Sequence, residues 1–79
     1  MQIPVIKKLV ENYSLPQLQA AEEAMMEEQI PVIEVEGKDE GECLTHVLAS
    51  IYIKEKMEQG TAFNQAVRGF SQRVRNSIS

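Results

Sequence analysis

The chain has 79 residues, a net charge of −4 and one cysteine. That length makes a single small domain, residues 1–79, whose core is too small for comfortable stability on its own. The lone Cys43 excludes an intrachain disulfide and fits a reducing compartment; no apolar run reaches the roughly 20 residues of a membrane span and no charged-then-apolar leader opens the chain, so a cytoplasmic protein without membrane contact is expected.

The pattern predicts a mainly α fold of about four helices. In the first, about 3–12, Ile3, Ile6, Leu9, Val10 and Tyr13 share one face, and Pro4 is tolerated in the first turn. Ser14 and Gln17 have the spacing of a capping box, and Pro16 falls in the same turn, so a second helix is expected over about 15–28 with Leu18, Ala21 and Met25 inward. A bend at Ser14 separates the two.

Pro31 ends that helix, and the β-branched run after it predicts a short extended segment over 32–36. A single strand must find a partner, either the N-terminus or the same strand of another subunit. The pentapeptide Gln-Ile-Pro-Val-Ile occurs at 2–6 and again at 29–33. An extended first copy would allow a two-stranded ribbon, but its helical spacing is the stronger signal.

The third helix is expected over about 40–59, with Gly60 as its left-handed stop. Leu44, Val47, Leu48 and Ile51 form its main stripe. Nearly opposite lies a second one, His46, Ser50, Ile53 and Met57, flanked by Cys43. A helix apolar on two sides is central in its fold or shared with a partner. Thr61 is expected to cap the fourth helix, about 62–76, whose core line is Phe63, Ala66, Val67, Phe70 and Val74, with Ile78 extending it. The short connection makes the last two helices antiparallel.

Charge is segregated along the chain. Residues 22–42 hold nine acids against Lys38, a net −8, whereas residues 43–79 carry +3. The acidic middle speaks against nucleic acid and allows docking of a basic protein partner. Arg68, Arg73 and Arg75, with Lys54 and Lys56, lack the interleaved aromatics of a nucleic-acid platform and read as a solvated or intrachain-paired face.

Candidate chemistry is sparse. Cys43 and His46 are three apart on a helix, so an imidazole could activate the thiol near a helix N-terminus. No third group orients the pair, and a buried inert cysteine is the plainer reading. Glu42 and His46, with Asp39 and Glu40, fall short of a metal site, because one histidine and first-turn acids are explained by the helix dipole. No nucleophile elbow or phosphate-binding glycine loop is present. No cofactor, metal or catalytic residue is therefore expected.

The stretches Ile3-Pro4-Val5-Ile6-Lys7-Lys8-Leu9-Val10, Ile33-Glu34-Val35-Glu36-Gly37, Leu44-Thr45-His46-Val47-Leu48-Ala49 and Arg73-Val74-Arg75-Asn76-Ser77 resemble a family of short, uncharacterised bacterial proteins, a domain of unknown function. The resemblance spans nearly the whole chain. It implies a stand-alone cytoplasmic bacterial protein and assigns no activity to any residue.

Two expectations follow. The first is a non-catalytic interaction module that self-associates as a dimer through His46, Ser50, Ile53 and Met57. The alternative is a thiol-redox or metal-linked accessory protein using Cys43 and His46.

Overall fold

The computed structural model describes residues 2–78, with side chains through Arg75. Four helices follow in order: α1 (Ile3–Asn12), α2 (Leu15–Met26), α3 (Glu40–Glu58) and α4 (Phe63–Ile78). No strand occurs among the described residues.

Helix α1 starts with Pro4 in its first turn and buries Val5, Ile6, Leu9 and Val10 on one face. Its exit at Tyr13 is extended, and the bend there lets Ser14 restart the chain. Ser14 donates its N–H to Gln17 Oε1 at 2.8 Å, and its hydroxyl accepts from the Gln17 N–H at 3.4 Å. This is the expected capping box, a contribution of about 1 kcal/mol.

Helix α2 stops at Met26, two residues before the expected end. The Gln29 N–H reaches the Ala24 carbonyl at 2.8 Å and the Glu28 N–H reaches that of Met25 at 3.2 Å. That hydrogen-bond pair is a Schellman motif with Glu28 at the left-handed position, φ 60°. Pro31 therefore follows a helix that has already closed.

Helix α3 packs against α1, α2 and α4 and is the centre of the fold. Asp39 caps it, Oδ1 accepting from the Glu42 N–H at 2.8 Å, while Glu42 reaches back to the Lys38 N–H at 3.1 Å. Gly60 ends it with φ 98°, as expected. Helix α4 begins at Phe63, and the Ala62 carbonyl takes the Ala66 N–H, so Ala62 and not Thr61 stands at the capping position. The side chain of Ile78 lies outside the described residues.

The core has two parts joined by α1 and α3. Ile6, Val10, Ala49, Ile53 and Ala66 form one, closed by Tyr52, Phe63, Val67 and Phe70. Val5, Leu9 and Leu18 form the other, closed by Tyr13, Ile33, Val35 and Ile51. Ile6, Leu18, Val47 and Ile53 are fully buried. Each such side chain contributes on the order of 1.5–3 kcal/mol.

The two copies of the pentapeptide take different conformations. The first is helical from Ile3 and buries Val5 and Ile6. The second is irregular and leaves Ile30 and Val32 in water. The first runs on into Lys7-Lys8-Leu9-Val10, which continues a helix, and the second into Glu34-Val35-Glu36-Gly37, which does not. No ribbon forms between them.

The segment expected as a strand at 32–36 keeps part of a strand's alternation. Ile33 and Val35 are half-buried against the core, while Glu34 and Glu36 face out. It finds its partners in side chains of α3, not in another strand.

Candidate functional site

His46 is fully buried, and both ring nitrogens meet backbone. Nε2 accepts the Gln2 N–H at 3.0 Å, so that nitrogen carries a lone pair. Nδ1 lies 2.8 Å from the Glu36 carbonyl, which only accepts, so Nδ1 bears the proton and donates it. One neutral imidazole thus ties the start of α1 to the segment before α3. Ser50, also fully buried, donates its hydroxyl to the His46 carbonyl at 2.7 Å.

The flank expected to be central in the fold or shared with a partner lies largely within the chain's own packing. His46, Ser50 and Ile53 are closed off inside the single chain, and only Met57 of the four is open, at 39% exposure. The flank taken as secondary is covered by α1 and α4 around Ile53, while Val47 of the flank taken as principal is fully buried as well. Leu48, from the flank taken as principal, is 39% exposed.

Cys43 and His46 are not engaged with each other. The Cys43 thiol donates to the Val35 carbonyl at 3.6 Å, while His46 holds the next carbonyl, that of Glu36. Burial, then the charges of Glu42 and Asp39, push the Cys43 thiol above its ordinary value. A nucleophilic or redox thiol needs the opposite shift. Among the described residues, no three His, Cys, Asp or Glu side chains are grouped to hold a metal ion, and no helix is long and apolar enough to cross a membrane.

Several basic residues are engaged within the chain, Lys8 with Glu36 at 3.2 Å among them. Lys54 Nζ donates to the Val10 carbonyl at 2.9 Å, at the end of α1. Lys56 and Arg73 lie 5.6 and 5.7 Å from the centre of the Tyr52 ring, which also packs on Phe70. Such cation–π pairs are worth about 0.5–1 kcal/mol at exposed sites.

The open feature is a groove of about 850 Å³ between the end of α2, the connection that follows and the start of α3. Met25, Met26, Ile30, Ile33, Val35 and Leu44 line it with apolar surface, and the exposed acids Glu28, Asp39 and Glu40 stand in its wall. Met26 is 69% exposed and Ile30 93%; Val32 beside them is 103% exposed. Flexible methionines suit a surface that must adapt to what it binds.

Periodicity does not mark this groove. Met25 belongs to the inward line of α2, Val32 falls in the segment expected to be extended, and Ile30 lies between the two. The signal that was available is at the end of α2, where Glu27 and Glu28 stand at the wrong pole of a helix dipole.

A family model described as "Family of unknown function (DUF6952)" matches residues 1–79, and the chain belongs to that family. No curated protein and no solved structure matches it.

Proposed function

We propose that this member of a family of unknown function is a non-catalytic interaction module, and that the groove beside Met26 and Ile30 docks a partner presenting basic and apolar side chains together. The observation that carries this reading is a concentration of broken folding rules at residues 27–32. Glu27 and Glu28 close α2 with negative charge, and no basic residue lies in its last turn. Glu28 holds a left-handed backbone that glycine would take without strain. Ile30 and Val32 leave almost all their surface in water beside an apolar groove. Among the described residues, no side-chain hydrogen bond or ion pair to Glu27 or Glu28 offsets the first two, and Ile30 and Val32 stay exposed. Such conflicts collect where a protein is built for something other than its own stability. A partner's cations answer the first, and its apolar side chains answer the third.

The test is affinity capture from cell extract with the wild-type chain and with an Ile30→Asp, Val32→Asp double variant, at low and high salt. Proteins held by the wild type, released by salt and not held by the variant support the reading. Identical captures by both chains overturn it.

A further inference from the structure

We infer that the occupant of the groove is a basic amphipathic helix from another protein. This inference rests on the interaction reading above and adds the form and the source of the ligand.

A strand is the obvious alternative, because the segment 33–36 borders the groove and alternates inward and outward. Strand addition needs successive carbonyls that point to opposite edges, so that one edge stays free for the newcomer. Here the carbonyls of Val35 and Glu36 both serve side chains of α3, the Cys43 thiol and the His46 imidazole. The alternation that a ladder requires is broken at those two residues. At the far end of the connection, the Gln29 N–H is already spent on the Ala24 carbonyl. An incoming backbone finds no alternating edge at Val35 and Glu36 and must satisfy its own hydrogen bonds there. A helix does this, and it can lay apolar residues at i, i+3 and i+4 against Met26, Ile30 and Leu44.

The sign of the ligand follows from charge. Glu28, Asp39 and Glu40 line the groove, and Glu27 adjoins them at the carbonyl end of α2. Lysines or arginines flanking the apolar stripe meet both the carboxylates and that helix pole.

The source follows from what this chain has left to offer. Its basic helix α4 has Phe63, Ala66, Val67 and Phe70 committed to the core, and α1 has Val5, Ile6, Leu9 and Val10 committed likewise. A second copy cannot present either stripe to a groove without unpacking its own fold.

The experiment uses the full chain, ¹⁵N-labelled, and three synthetic probe peptides. The first has leucine and lysine at helical spacing. The second has the same composition in strict alternation, and the third replaces each lysine of the first by glutamate. The expected result is that the first peptide becomes helical on binding and shifts the amides of Met26, Ile30 and Leu44. The alternating peptide should bind about tenfold more weakly, the glutamate peptide not at all, and Ile30→Ser should weaken the first about tenfold. If the alternating peptide binds as well as the helical one at the same residues, the helix inference fails and the interaction reading stands. If no lysine peptide shifts the groove residues, both fail. If sedimentation shows a dimer whose dissociation on dilution shifts those same residues, the occupant is a second copy and the inference is overturned.

Discussion

Glu28 and Gly60 occupy the same position of the same motif. Each follows a helix end, each has positive φ (60° and 98°), and the hydrogen bonds around them correspond: Gln29 to Ala24 and Glu28 to Met25 in one, Thr61 to Lys56 and Gly60 to Met57 in the other. Only the side chain differs. A Cβ costs about 1 kcal/mol in this conformation, and Glu28 adds a negative charge at the negative end of α2. Glu28→Gly should therefore stabilise the chain by about 1 kcal/mol, while Gly60→Ala should destabilise it by a similar amount. Thermal denaturation reads this as shifts of about 4–8 °C in opposite directions. Equal losses in both variants would show that Glu28 makes a compensating contact.

The imidazole of His46 serves two backbone groups that lie far apart in sequence, the Gln2 N–H and the Glu36 carbonyl. Removing it opens a cavity where the ring was fully buried and takes the partner from two part-buried backbone groups. His46→Ala should cost about 2–4 kcal/mol, a large part of the roughly 5 kcal/mol expected of so small a domain. His46→Gln, which can still donate and accept, should cost less. Hydrogen exchange should show the amides near Glu36 and at the start of α1 losing protection together in the alanine variant. Loss at only one of the two places would mean that His46 does not join them.

Much of the architecture is legible in the residues, and the exceptions share a cause. The ends of α1 and the start of α2 are set locally, by Pro4, the Ser14–Gln17 box and Pro16, so pattern alone places them. Gly60 marks the end of α3 for the same reason. The depth of each flank of α3 is not local. Leu44, Val47, Leu48 and Ile51 are the more apolar set, yet the landing of α1 and α4 on the flank of His46, Ser50 and Ile53 sets which side chains are covered. The segment 32–36 has strand propensity, but a thiol and an imidazole from α3 take its carbonyls first. Glu28 carries no sequence mark of a left-handed turn, since glycine is the usual sign. The groove was half legible: the acidic run stands out in the sequence, but its meeting with exposed Ile30 and Met26 depends on where α2 closes.

Ile53 and Met57 lie one turn apart on α3 with opposite fates, the first fully buried and the second 39% exposed. Ile53 packs with Ile6, Val10, Ala49 and Ala66. Ile53→Ala should cost about 2–5 kcal/mol in urea denaturation, and Met57→Ser no more than about 0.5 kcal/mol. Sedimentation of the two variants, compared with wild type, should show no change of mass attributable to Ile53. A mild effect of Ile53→Ala on stability, together with a change in mass, would return that side chain to a subunit contact.

The Cys43 thiol is held above its ordinary value by burial first, then by Glu42 and Asp39, with Glu40 adding less. Its hydrogen bond to the Val35 carbonyl also needs the protonated form. The folded chain therefore binds this proton more tightly than the unfolded chain does. The stabilisation is whole below the thiol range of the unfolded state and is lost as pH rises through the folded value. Wild type should weaken at alkaline pH relative to Cys43→Ser, which keeps a donor and does not titrate there, and the two should run parallel at neutral pH. Iodoacetamide should react slowly with the folded chain at neutral pH, with a rate that climbs only above the range of a free thiol. Rapid modification at neutral pH, or denaturation curves for the two chains that stay parallel into the alkaline range, would show that burial and the charges of Glu42 and Asp39 do not hold the proton on sulfur.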